Sequence, residues 1–255
     1  MMNSLFLQVE SVLRGAPLET PRGAKQRAPH GANADGANAD GANDGVANER
    51  GALVAKALSL VVCVALFGGL YGAAMGAFGG ARPLQMLVSA LKVPLLLLVT
   101  GGLSVPSFWV LYSLWGLRDD FNAVLRGLLS AQVGLAVVLA SLSPFTLLWY
   151  ASGAPYGAAI AFNAVMFGIA SLSAQVLLRR HCKPLMQRDA RHRKLLWAWL
   201  ALYAFLGIQM SWMLRPFIGD PRQPTTFFRA EGWSNAYEVF GRKIFSPQNR
   251  ETTNY

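Results

Sequence analysis

The sequence predicts an all-α integral membrane bundle of five transmembrane helices, preceded by a disordered N-terminal tether. Three observations carry this. Of 255 residues, 53% are hydrophobic and only 14% charged, whereas a soluble domain carries about 25% charged residues. The deficit is concentrated between residues 57 and 214, where long apolar stretches carry no charged side chain. Those stretches divide into five segments, each long enough to supply the roughly 20 helical residues that cross a hydrocarbon core about 30 Å thick. The segments lack the apolar–polar alternation of a membrane barrel.

The chain divides into a low-complexity segment (1–51), a transmembrane domain (52–215) and a tail (216–255). Residues 2–14 are weakly amphipathic, with Leu5, Val9, Val12 and Leu13 able to share a helical face. Residues 15–51 contain the repeat GANAD-GANAD followed by GAND-GVANERGA. Such small, polar, glycine-rich sequence buries too little apolar surface to offset chain entropy, and reads as a tether.

The expected spans are 57–79, 94–115, 128–150, 155–178 and 195–214. The first is too long, and begins too far from the N-terminus, for the apolar region of a cleaved signal peptide. Residues 83–92 (PLQMLVSALK) are apolar except for Gln85, Ser89 and Lys92, which share one helical face. They form either an interfacial helix or an extension of the second span. Pro94 and Pro106 each remove a backbone donor and are expected to kink that span. The connection at 151–154 is short enough to make spans three and four a tight hairpin, and the loop at 116–127 should make spans two and three neighbours.

Lysine and arginine set the orientation. The segment RRHCKPLMQRDARHRK (179–194), read as a loop, holds seven basic residues and one acid, Asp189. Short, strongly basic loops stay in the cytoplasm. Five spans then place the N-terminus in the cytoplasm and the C-terminus outside, with 15 basic residues in inner segments and 8 in outer ones. Trp109, Tyr112, Trp115, Trp149, Tyr150, Tyr156, Trp197, Trp199 and Trp212 lie near span ends, where amphipathic rings favour the headgroup level. The formal net charge of +10 flanks apolar runs, which points to phospholipid rather than nucleic acid as the anionic partner.

Gly68, Gly72, Gly76 and Gly80 recur every four residues. In lipid, such a stripe lets helix backbones approach closely. Packing within the chain is the plain reading, with Gly157 and Ala161, Ala164 and Gly168, Ser130 and Gly134, or Ala136 and Ala140 as partner surfaces. Self-association and a glycine-lined pore are the alternatives. Asn163 and Gln209 are the most polar deep residues. They serve interhelical hydrogen bonds or, alternatively, a substrate site. Cys63 in an apolar run and Cys182 in the basic loop are not expected to pair. His181, Cys182 and His192 lack the spacing of a structural zinc site. No metal, cofactor or catalytic residue is expected, since no nucleophile triad, HExxH or phosphate-binding loop is present.

After the last span, Pro216, Pro221 and Pro224 favour an extended path. Asn235 and Glu238 resemble a capping box, and Tyr237, Phe240 and Ile244 share a face of the short surface helix it would open. Trp212, Arg215, Pro216, Phe217, Trp233, Tyr237 and Phe240 are the candidate contacts with a partner or the membrane surface. The element WMLRPF (212–217) with its Pro-rich aromatic tail resembles a group of poorly characterised bacterial multi-pass membrane proteins, over residues 52–245. The arrangement is also distantly similar to Yip-type five-span proteins, linked to membrane organisation and trafficking. The resemblance implies a five-helix fold and carries no catalytic residue across.

These features together lead us to expect a non-enzymatic protein of a bacterial cytoplasmic membrane, a scaffold or accessory subunit whose partners are the lipid bilayer and other membrane proteins or a second copy. The competing class is a channel or transporter for a small neutral solute, in which the proline-bearing second span and Asn163 would line the path.

Overall fold

The computed structural model describes residues 38–80, 82–219 and Phe227, with side chains of the first helix described at Ala55 and from Leu58 onward. Five long helices follow one another: α1 (Asn38–Gly76), α2 (Pro83–Leu114), α3 (Phe121–Ala151), α4 (Tyr156–Arg188) and α5 (Arg191–Leu214), with a 3-10 turn at Arg118–Asp120. All regular structure among the described residues is helical. Each helix is long and apolar enough to cross a membrane, over Leu58–Gly76, Pro83–Leu114, Arg118–Ala151, Tyr156–Arg188 and Arg191–Leu214. The chain is a multi-pass membrane protein.

Helix rather than any other backbone is required in lipid, because only intra-segment hydrogen bonding satisfies every N–H and C=O there. The rule extends to prolines. Pro144 lies inside α3 and frees the carbonyl four residues back, that of Ala140. Ser143 Oγ donates to this oxygen at 2.6 Å and restores its pairing.

The helix bounds differ from the expected spans in three places, each for a local reason. α1 opens at Asn38, inside the stretch 15–51 read as tether; the apolar part supplies the helix nucleus, and the helix extends from it through Ala39, Ala42, Ala47 and Glu49 against the weak helix propensity of Gly41, Gly45 and Gly51. α2 opens at Pro83 and runs through Pro94 and Pro106, so residues 83–92 extend the second span. Pro83 sits at the first helical position, where its missing N–H has no partner to lose. α4 continues to Arg188 through Pro184. Segment 179–194 is therefore two helix ends separated only by Asp189 and Ala190, because Arg, Lys, Leu, Met and Gln are all good helix formers.

α1 packs along α2 and α3, α3 along α4, and α2 along α5. α2 and α3 meet only sparsely despite their short connection, because α1 lies against both. α4 and α5, also joined by a short turn, scarcely touch each other. The core lies between the other pairs, around Tyr71, Val93, Phe108, Tyr112, Val124, Ala136 and Leu139. Leucines such as Leu66, Leu70, Leu148 and Leu172 point outward, as expected of helices that are apolar all round and meet lipid.

Candidate functional site

Immediately after α5 the chain lies down on α2. The polar face of 83–92 is its seat. Ser89 Oγ donates to the Phe217 carbonyl, and Gln85 Nε2 donates to the same oxygen at 3.3 Å and to Ser89 Oγ at 3.1 Å. Lys92 Nζ donates to the Pro216 carbonyl at 2.8 Å and lies 5.2 Å from the Phe227 ring centroid. From the other side, Tyr156 OH donates to the Ile218 carbonyl at 3.0 Å. Gln85, Ser89 and Lys92 are all buried. A lysine is tolerated here because the last carbonyls of a helix and the residues just past it are short of donors, and the negative end of the helix dipole favours a cation. The Arg215–Pro216 peptide is cis, and the Arg215 guanidinium stacks 3.2 Å from the centroid of Trp212.

Because α4 and α5 stand apart, a cleft of about 910 Å³ opens between them. Its floor is formed by Leu97 and Thr100 of α2 and by Gln132 and Leu135 of α3; its walls include Ile160 and Phe167 of α4 and Tyr203 and Ile208 of α5. Trp212, Arg215, Pro216, Phe217 and Ile218 close one end. Along α4 the lining runs from Tyr156 to Gln175, about 28 Å at 1.5 Å per residue. The polar groups of the floor hold one another: Tyr203 OH donates to Gln132 Oε1 at 3.0 Å, and Gln132 Nε2 donates to the Leu97 carbonyl at 2.6 Å. Among the described residues, the buried Thr100 Oγ1 and Trp199 Nε1 have no hydrogen-bond partner, and both residues line the cleft.

Three of the four stripe glycines meet α2. A Cβ on Gly68 would lie 3.5 Å from the Pro94 backbone, one on Gly72 would fall on the Ser89 carbonyl oxygen and 2.8 Å from Ala90 Cα, and one on Gly76 would lie 2.6 Å from Met86 Cα. The partner is thus the first half of α2, not the surfaces on the third and fourth spans. Gly157 and Gly168 face open space, and a Cβ on Gly134 would approach Leu177 at 2.7 Å. Gly80 stands apart. It lies beyond the helix with φ +110° and nothing near it, so its role is the turn.

Asn163 lines the cleft but its amide is fully engaged. Tyr71 OH donates to Oδ1 at 2.8 Å, while Nδ2 donates to Tyr150 OH at 2.6 Å and to the Ala159 carbonyl at 2.8 Å. This ties α1, α3 and α4 together. Gln209 is half-buried on α5 and is not among the lining residues. Trp233, Tyr237 and Phe240 lie outside the described residues.

No protein-family model, curated protein or solved structure matches the chain.

At the opposite end of the bundle lies a second polar cluster, with Tyr112 and His192 buried and Asp120 half-buried. Tyr112 OH lies 3.0 Å from His192 Nδ1, and the Asp120 carboxylate lies 3.2 Å from His192 Nε2, within ion-pair reach but off the N–H axis. Phe108, Phe121 and Trp199 pack around it. Cys182, expected in a loop, is buried in α4, where Gly127 of α3 approaches its sulfur; Cys63 is buried as well, and both are free. Asp189 receives both the backbone N–H and the side chain of Arg191, each at 2.8 Å. Those contacts hold its carboxyl below the ordinary value of 3.8. Arg191 Nη1 also donates to the Trp115 carbonyl at 3.2 Å, fixing the start of α5 to the end of α2. Among the described residues, no group of three or more His, Cys, Asp or Glu is placed to hold a metal ion.

Two features escaped the sequence. The shared face of Gln85, Ser89 and Lys92 was visible, but nothing in the pattern says what covers it. The pairing of Gln132 with Tyr203 had no signal, since one glutamine and one tyrosine 71 residues apart carry no local motif.

Proposed function

We propose that this protein is a non-enzymatic membrane scaffold or accessory subunit, built to hold its C-terminal tail at a fixed exit point beside the bundle. The observation that carries this reading is the seating of 216–218 on α2 and α4 by Ser89, Gln85, Lys92 and Tyr156. Four side chains spent on one short connection give the aromatic tail a defined origin, which is what presentation to a partner requires. Residence in a bacterial cytoplasmic membrane, a cytoplasmic N-terminus, an extracytoplasmic tail and kinship with the bacterial proteins bearing the Trp-x-Leu-Arg-Pro-Phe element are parts of the same proposal. Pull-down of the full chain in mild detergent, followed by mass spectrometry, tests it. Stoichiometric membrane-protein partners are expected, and deletion of 220–255 should release them.

The second reading is a carrier for a small neutral solute. Thr100 and Trp199 favour it, because both line the cleft with a polar atom that has no partner among the described residues. Against it, α2 is unbroken and Asn163 is committed to Tyr71 and Tyr150. Solute flux by the purified chain alone in liposomes, without co-purifying partners, would favour transport and count against the scaffold.

A further inference from the structure

We propose that the joined ends of α4 and α5 hold one anionic phospholipid headgroup, its phosphate clamped between Arg179 and Lys183 of α4 and Arg193 of α5, beside Trp197. The two helices are connected through Asp189 and Ala190 alone and scarcely touch along their length. Near the turn a side-chain contact bridges them: the Arg179 guanidinium carbon lies 4.9 Å from the Trp197 ring centroid. Lys183 stands one turn after Arg179, and Arg193 one turn before Trp197. Residues four apart share a helix face, and both steps lead toward the connecting turn. Lys183 and Arg193 therefore flank the same gap as the Arg179–Trp197 pair. All three cations are exposed, and Trp197 is 57% exposed.

The nearby carboxylates are already taken. Of the seven basic residues in 179–194, Arg191 is paired with Asp189, and Arg188 reaches Asp120 at 4.0 Å. Asp120 also faces His192. Among the described residues, no ion pair or hydrogen bond engages the side chain of Arg179, Lys183 or Arg193. Three like charges around one gap repel one another, and an anion between them reverses that term. The ring of Trp197 orients the Arg179 guanidinium, whose planar fork of donors matches two phosphate oxygens. Depth selects the source of the phosphate. Arg179 follows directly on the apolar run that ends at Leu178, and an exposed tryptophan belongs at the headgroup level. A phospholipid carries its phosphate at that level. A free phosphate or a soluble polyanion approaches from water and gains nothing from Trp197. A zwitterionic head brings its own cation toward Lys183 and Arg193.

The proposal rests on the membrane-spanning reading and goes beyond the scaffold role. A failed pull-down leaves it standing, and loss of lipid binding leaves the scaffold reading standing. Native mass spectrometry of the delipidated full chain, titrated with phosphatidylglycerol, phosphatidylcholine, glycerol phosphate or single-stranded RNA, tests it. One phosphatidylglycerol per chain is expected, retained about tenfold better than phosphatidylcholine, with no retention of glycerol phosphate or RNA. Arg179→Gln, Lys183→Gln and Arg193→Gln should each weaken that retention roughly fivefold. Arg179→Gln and Arg193→Gln together should bring phosphatidylglycerol to the level of phosphatidylcholine. Arg180→Gln and Lys194→Gln together remove the same charge from positions about 100° round each helix and should leave retention unchanged. Lys183→Gln breaks no contact within the fold, so it reads the site even where Arg179→Gln loosens the joined ends. Equal retention of the two lipids, a Lys183→Gln chain indistinguishable from the parent, equal losses from the two double changes, or retention of glycerol phosphate or RNA as tight as that of phosphatidylglycerol would overturn it.

Discussion

The side-chain nitrogen of Lys92 lies 2.8 Å from the carbonyl oxygen of Pro216, 124 residues further along the chain. Helix α2 and the segment after α5 are thereby joined at the point where α5 runs out of its own hydrogen-bond partners. Lys92→Met keeps the length of the side chain and removes the donor. The Pro216 carbonyl then loses its buried partner, a loss of about 1–3 kcal/mol. The expected outcome is a lower Tm in detergent together with faster proteolysis just beyond Gly219. An unchanged cleavage rate would show that Lys92 does not hold the segment.

Gly72 packs where no side chain fits. Gly72→Leu drives a branched side chain into the Ser89 carbonyl and Ala90, and overpacking of this kind costs about 1–3 kcal/mol. Gly157→Ala is the matched control, since a Cβ there meets nothing within 4 Å. The first variant should unfold at lower temperature and the second should match the parent. Equal Tm for all three would argue that α1 and α2 are not in close contact.

Asn163 joins three helices through two tyrosines. Asn163→Leu leaves the hydroxyls of Tyr71 and Tyr150 without that partner. Interhelical hydrogen bonds in membranes are worth about 0.6 kcal/mol on average and up to about 1.7, so a loss of roughly 1–3 kcal/mol is expected for the pair. A double-mutant cycle with Tyr71→Phe should show coupling, and strict additivity would mean the contact contributes nothing.

Asp189 caps the turn between α4 and α5 through Arg191. Its carboxyl is held below the ordinary 3.8 by those bonds. The contact stabilises only when the carboxyl is ionised, so its contribution is complete above 3.8 and disappears as the pH falls through the lower native value. Asp189→Asn should therefore unfold at lower temperature than the parent near neutrality, and the gap should close well below pH 3.8. A gap that persists in acid would assign the effect to the cap geometry and not to charge.

Most of the fold was legible in the sequence because a bilayer leaves few choices. Apolar runs such as 128–150 can only be helical in lipid, and their number followed from length alone. The helix ends were less legible. Segment 179–194 looked like a loop because its charges contrasted with the apolar run before it, yet Arg179 to Arg188 are good helix formers and stay in α4. The glycine stripe announced close approach but not its partner: Gly72 selects Ser89 and Ala90 only because α1 and α2 lie antiparallel at that height. Residues 83–92 fit either an interfacial helix or an extension of the second span, and Lys92 lies inside that span, paired with a carbonyl that sequence spacing cannot bring near. The cleft had no sequence signal at all, since it arises from two consecutive helices failing to pack against each other.

The seating of Phe217 on Ser89 also orders events in time. During synthesis the first four crossings emerge and partition into lipid before residue 217 leaves the ribosome. Until then, Gln85, Ser89 and Lys92 have no carbonyls from that segment to accept their hydrogen bonds. The last helix to arrive therefore brings the carbonyls that close the polar face of the second.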